Sequence, residues 1–174
     1  MVSRLSAAME EAYASAPANV VILHTLELYH PSWGTPVRLV TGDDGLDAAE
    51  VVALTLENGT VANFTAMAFD VTPPGFDEDG PTPGKIRVDG VSAMLVPYLE
   101  AVAVSAGTIS VTYRAYRSDA RFEPGDVITG LRMRQVSVSA TAVEGEVGFE
   151  EVGGQAFPRA TYDIDNYPGL FLAS

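Results

Sequence analysis

The sequence predicts a mainly β chain, an antiparallel β-sandwich or open barrel with two short α-helices. Three observations predict it. Apolar and β-branched residues alternate with polar ones over most of the chain, at the period of a strand. Turn residues interrupt these runs at short spacing. The strongest interruption is Asn58-Gly59, a hairpin signal in which both positions are expected at positive φ. Strand and helix patterns do not alternate along the whole chain, which excludes a doubly wound parallel sheet.

Residues 3–15 read as a short helix, capped by Ser3 or Ser6, with Leu5, Met9 and Ala12/Tyr13 at helical spacing and Pro17 ending it. So short a helix with a narrow apolar stripe is marginal alone. It must dock on its own sheet or on a neighbouring subunit. Residues 19–28 form a β-branched strand, 29–34 a turn, and 36–41 a short strand closed by Gly42-Asp43-Asp44-Gly45. Strands at 51–57 and 61–69 flank the Asn58-Gly59 turn.

Residues 73–84 hold four prolines and three glycines and read as a loop before a strand at 85–89. The second helix is expected at 91–104, with Met94, Leu95, Tyr98, Leu99 and Val102 on one face, Pro97 kinking it or marking a start near 94, and Gly107 stopping it. Strands follow at 108–117, 127–142 and 146–151. The end, from Phe157 to Leu172, mixes aromatics with prolines and has no regular period.

A chain of 174 residues favours one domain over 1–174, or two small β-lobes sharing a core around the 91–104 helix. With 47% hydrophobic residues there is ample material for a core, while 19% charged residues is low for a solvated surface. Some faces are therefore expected to lie against neighbours. The net charge of −13 argues against sequence-specific nucleic-acid binding. The charge is uneven: residues 1–84 carry two arginines against twelve acids, and residues 85–174 eight basic residues against eleven acids.

Catalytic and metal-binding motifs are weak. The chain has no cysteine, hence no disulfide, thiolate zinc site or cysteine-ligated cluster. Nucleophile elbow, phosphate-binding glycine loop and dinucleotide fingerprint are missing. His24, in a strand, reads as a packed or surface residue, and His30 as a structural residue of a turn beside Trp33. Asp43-Asp44-Gly45-Leu46-Asp47 and Asp77-Glu78-Asp79-Gly80 lack the ligand spacing of a calcium loop and read as solvated turns. The Asn58-Gly59-Thr60 and Asn63-Phe64-Thr65 triplets match the glycosylation pattern by chance, since no secretory signal precedes them. No apolar stretch approaches the roughly 20 residues that span a bilayer. A soluble non-enzyme made in the cytoplasm, with no cofactor and no membrane partner, is expected.

The segments YHPSW, VRLVTGD, VALTLENGTVANFTAMAFDVTPPGFDEDG, KIRVDGVS, ISVTYRAYRSD and FPRATYDIDNYPGL follow one another in that order. In this the chain resembles a family of short phage and prophage proteins that is known as a domain of unknown function and occurs among tail-assembly genes. More distantly it is similar to the N-terminal part of the lambda-type minor tail protein L. The resemblance spans residues 20–170 and rests on structural rather than catalytic motifs.

The resemblance implies a tail-tube-like hub fold and a structural subunit of the phage tail tip, located in the virion. Such a subunit forms a ring joining the tail tube and distal tail protein to the central fibre or tip attachment protein. Its channel passes the tape measure and then DNA. Matching a six-fold tube to a three-fold fibre favours a closed trimer, with a hexamer second. Lambda-type relatives carry a cysteine-rich C-terminal domain with an iron–sulfur cluster, which a chain without cysteine does not share.

On this reading Asp43, Asp44, Asp47 and Glu50 are candidates for the channel wall, with 77–79 equally placed. Leu5, Met9, Tyr13, Phe157, Tyr162, Tyr167, Leu170 and Phe171 are candidates for contacts between subunits. The alternatives are a soluble β-sandwich binding module directed at carbohydrate, and a hydrolase using paired carboxylates. The single tryptophan weighs against the first, and the missing local motif against the second.

Overall fold

The computed structural model describes residues 5–17, 19–41, 46–47, 49–77, 80–89, 98, 107–139 and 141–149. Among them stands one regular helix, α1 (Ala7–Ser15). Ser6 caps it, its Oγ accepting from the Met9 N–H at 3.2 Å, and Ala16 closes it in the left-handed region at φ 42° just before Pro17. Of the predicted second helix only Tyr98 is described, in helical conformation; the rest of 91–104 lies outside the described residues.

The described residues also form eleven strands: β1 (Ile22–Tyr29), β2 (Val37–Thr41), β3 (Val51–Thr55), β4 (Val61–Ala66), β5 (Phe69–Thr72), β6 (Gly75–Asp77), β7 (Gly80–Thr82), β8 (Gly84–Asp89), β9 (Ile109–Arg117), β10 (Asp126–Val138) and β11 (Ala142–Phe149). Nine form one sheet in the order β3-β4-β2-β1-β9-β10-β11-β8-β5, and β6 pairs only with β7. Every pairing is antiparallel except β2 with β4. The chain is mainly β, as predicted.

Three details depart from the predicted elements. The proline-rich stretch read as a loop holds β6 and β7, because its prolines still permit one short antiparallel ladder. The strand expected over 61–69 breaks at Met67 and Ala68, after which β5 changes partner. The alternation expected over 127–142 slips at two bulges, between Ile128 and Leu131 and between Arg134 and Ser137. Gly130 (φ 78°) and Gln135 (φ 51°) supply the left-handed residues, and after the second bulge Val136 and Val138 are exposed instead of buried.

The hairpin at Asn58-Gly59 forms with a different turn from the one expected. Only Gly59 has positive φ, at 79°; Asn58 does not. The Gly59 N–H donates to Leu56 O, and the Leu56 N–H to Thr60 O. This is a type I turn closed by a glycine bulge, the usual three-residue solution.

Both faces of the central strands are apolar. Leu26, Leu28, Val37, Leu39, Val111 and Tyr113 point to one face, where they meet Met9, Trp33, Ile86, Val88, Met133 and Val147. Leu23, Val40 and Tyr116 point to the other, which the β3–β4 hairpin covers with Val52, Leu54, Ala62, Phe64 and Ala66. Double-sided burial explains why residues 20–28 read as a long apolar and β-branched run.

The link between β4 and β5 touches strands on both sides. The Met67 N–H donates to Val40 O of β2 at 3.0 Å, and Ala68 O accepts from the Asp89 N–H of β8 at 3.0 Å.

Candidate interaction surface

The helix α1 is tied to the sheet at its start, where the Ser6 N–H donates to Gly125 O at 2.7 Å. Met9 and Ala12 face inward, and Met9 is fully buried over Gly125, where a Cβ would stand 2.6 Å from the Met9 Cε. Of the stripe predicted to seek a neighbour, Met9 therefore belongs to the chain's own core. Leu5 and Tyr13 remain 41% and 47% exposed.

The Tyr13 side chain hydrogen-bonds Tyr113, whose hydroxyl also lies 2.7 Å from His24 Nδ1. Burial, then the Asp126 charge, pushes the Tyr13 hydroxyl up, while its bond to Tyr113 opposes them. Burial, then the charges of Tyr13 and Asp126, drives the Tyr113 hydroxyl further up. His24 is thus partly buried against a tyrosine. Between α1 and β1 a groove of about 580 Å³ opens, lined by Tyr13, Pro17, Val20, Ile22, His24 and Thr41 among others.

The turn after β1 is built around His30, fully buried. Its Nδ1 lies 2.7 Å from Ser32 Oγ and accepts from the Ser32 N–H at 3.1 Å, while Nε2 has no partner among the described residues. Gly107 passes so close that a Cβ there would stand 2.4 Å from Nε2. Trp33, buried beside it, donates from Nε1 to Tyr98 O at 3.0 Å and meets the Tyr98 ring edge-on at 5.3 Å. The expected structural role of His30 matches this arrangement.

Sequence reasoning missed the ionic cluster that holds the β3–β4 hairpin down. Arg114 of β9, only 5% exposed, donates from Nε to Glu57 Oε1 at 2.7 Å, and its Nη1 lies 3.5 Å from Glu27 Oε2. Glu27 in turn accepts from Arg38 Nε at 2.7 Å. Burial pushes the Glu57 carboxyl up, but the hydrogen bond and charge of Arg114 outweigh it and hold it below the ordinary carboxylate range. Two further bonds secure the hairpin: the Tyr116 hydroxyl donates to Thr55 O at 2.9 Å, and the Thr55 N–H to Arg121 O at 3.1 Å. Burial lifts the Tyr116 hydroxyl to about 12. The one signal in the sequence was Tyr116, a large aromatic residue on the polar phase of Ser110, Thr112 and Arg114.

The opposite side of this hairpin is bare. Val51 is 59% and Val61 63% exposed, and Ala53 and Asn63 beside them are exposed too. Val51, Ala53, Thr55, Val61, Asn63 and Thr65 form one face without a charge, on a chain of net charge −13. Of the predicted channel acids, Asp47 and Glu50 are exposed and engaged with each other. The Asp47 N–H donates to Glu50 Oε2 at 3.2 Å, and the Glu50 N–H to Asp47 O at 3.0 Å. Asp43 and Asp44 lie outside the described residues, as do Phe157, Tyr162, Tyr167, Leu170 and Phe171.

Among the described residues no three His, Asp or Glu side chains converge as a metal site, and no helix is long and apolar enough to cross a membrane. The family model for a domain of unknown function, DUF1833, matches residues 8–162. The chain belongs to the DUF1833 family. No curated protein and no solved structure matches it. The match runs from within α1 through the nine-stranded sheet.

Proposed function

We propose that this chain is a structural subunit of a phage tail tip, a ring-forming hub between the tail tube with its distal tail protein and the central fibre. The observation that carries the reading is the bare hairpin face. An acidic chain keeps six adjacent side chains of one sheet face free of charge and leaves two valines exposed. Contiguous uncharged surface of this kind belongs to a subunit that meets neighbours. The order of motifs shared with tail-assembly proteins supports the same reading, and a closed trimer, with a hexamer second, follows from the symmetry argument above.

In this reading the sheet is an open barrel. β4 and β5 run on as one strand bonded to β2 at Met67 and to β8 at Ala68, which curls the sheet while its end strands, β3 and β5, stay unpaired with each other. The channel passes the tape measure and then DNA, past acids such as Asp43, Asp44, Asp47 and Glu50 that discourage phosphate contacts. Arg114 is buried and cannot line that wall, which leaves Arg117, Arg132 and Arg134 as the arginines whose appearance in the channel would reverse the sign.

A carbohydrate-binding module has less support, because Trp33, the single tryptophan, is buried and offers no stacking surface. The test is direct. Antibody against the chain should label the distal end of purified tails, and deleting the gene should stop tail assembly. Tails that assemble without the chain would rule the reading out.

A further inference from the structure

The two ends of the nine-stranded sheet are complementary in phase, direction and chemistry. In β3 the bonds Leu56 N–H to Thr60 O and Ala66 N–H to Glu50 O mark the even residues as those that face β4. The odd residues therefore turn their backbone groups outward, as Thr55 does when its N–H reaches Arg121 O. Val51 and Ala53 are left with N–H and C=O groups that no described residue takes. At the other end, the Asp89 N–H to Ala68 O bond marks the even residues of β5 as those facing β8. Phe69 and Val71 then turn outward, again with no partner among the described residues. Each end presents two outward residues at i and i+2.

Direction and face agree as well. Following the pairings across the sheet, β3 and β5 run in opposite senses, so a second copy carried around an axis along the strands sets its β5 antiparallel to β3. The register Leu39↔Thr65 places the odd residues of β4, and with them Val51 and Ala53, on the sheet face that Leu39, Phe69 and Val71 share. Pairing in phase sets Val51 opposite Val71 and Ala53 opposite Phe69, apolar against apolar. β3 also lacks the charges and prolines by which free edges are usually blunted.

We propose that the β3 edge of one copy pairs with the β5 edge of the next, so that a single sheet continues from subunit to subunit. Such a contact is heterologous and closes into a ring under rotation. This rests on the ring reading and names its contact.

The test uses the full chain, which has no cysteine of its own. A Val51→Cys, Val71→Cys double variant should form, under mild oxidation, a ladder of covalent oligomers ending at one closed size, because opposed residues of a bonded antiparallel pair lie within disulfide reach. Val51→Cys alone should stay uncrosslinked. Self-crosslinking of that single variant would show a β3–β3 pairing and overturn the proposal, as would a double variant that yields no ladder.

Ala53→Pro removes an outward N–H while keeping the bonds to β4. It should shift the sedimenting species from oligomer to monomer, with Val51→Lys giving the same result should proline disturb the strand. Wild-type chain that is monomeric at every concentration, or both variants assembling normally, overturns the proposal. Tails that hold a ring of Ala53→Pro chain would end this contact but leave the hub reading standing; tails without the chain would end the hub reading itself.

Discussion

Arg114 Nε donates to Glu57 Oε1 at 2.7 Å, across 57 residues of sequence, and this bond joins the middle of the sheet to the tip of the hairpin that covers it. The guanidinium is almost wholly buried, whereas the Glu57 side chain is 40% exposed. The two partners are therefore not equivalent. Removing Arg114 empties a packed site, while removing Glu57 leaves a buried cation whose remaining ion pair among the described residues is the 3.5 Å contact with Glu27. Arg114→Ala should cost about 3 kcal/mol and Glu57→Gln about 1 kcal/mol, measured by chemical denaturation. A loss of less than half of either figure would mean that the latch is redundant with the apolar packing beneath it.

The same pair sets an acid limit. The Glu57 carboxyl titrates below its ordinary value of 4.5 in the folded chain, so the fold binds fewer protons there than the unfolded chain does. Its contribution is complete above that value and is lost as pH falls through the lower folded value. Stability compared at pH 7 and pH 4 should fall more for wild type than for Glu57→Gln. Equal falls would assign the acid sensitivity to other carboxylates.

Tyr116 sets an alkaline limit with the opposite sign. Its hydroxyl is raised from 10.0 to about 12, so the fold holds the proton more tightly than the unfolded chain. The contribution is complete below pH 10 and is lost as pH rises towards 12. Tyr116→Phe should lower stability at neutral pH by about 1 kcal/mol, through the loss of the bond to Thr55 O, and should flatten the alkaline fall. An unchanged alkaline profile in the variant would exclude Tyr116 as its source.

Met9 and Gly125 form a matched pair in which the glycine leaves room for the buried methionine. Met9→Ala should cost about 2–4 kcal/mol and Gly125→Ala about 1–2 kcal/mol. The double variant should lose less than the sum, because alanine at 9 vacates the space that alanine at 125 needs. Strict additivity in a thermal or denaturant cycle would show that the two do not share that space.

Much of the sheet was legible because the period of two is strong in β3, β4, β8 and the first half of β9, and because β1 is a long β-branched run. The cap at Ser6 and the hairpin at Asn58-Gly59 were legible because local chemistry determines them. What escaped depends on partners distant in sequence. The break at Met67-Ala68 follows from a change of neighbour, β2 to β8, that no local residue announces. The bulge at Gln135 puts a non-glycine at positive φ and reverses the burial of Val136 and Val138. The latch was hidden because Arg114 falls on the polar phase of an alternating strand, and only the folded-over hairpin makes that face interior. Met9 was read as a contact for neighbours because the glycine that receives it lies 116 positions away along the chain (125 − 9).

The aromatic end of the chain carries a prediction of its own. Residues 157–172 hold large apolar area without a regular period, so a tail seated on neighbouring subunits would depend on its aromatic anchors. Replacing Tyr167 and Phe171 together by alanine should leave a folded monomer with a nearly unchanged Tm and abolish tail assembly. A double variant that unfolds, or that still assembles, would assign those side chains elsewhere.

The hub reading meets its most direct test in a reconstruction of the virion tail tip. The account predicts a closed ring of this chain on the tail axis, a trimer first and a hexamer second, between the distal tail protein and the central fibre. A single copy on the axis, or copies decorating the periphery of the tip, would contradict it.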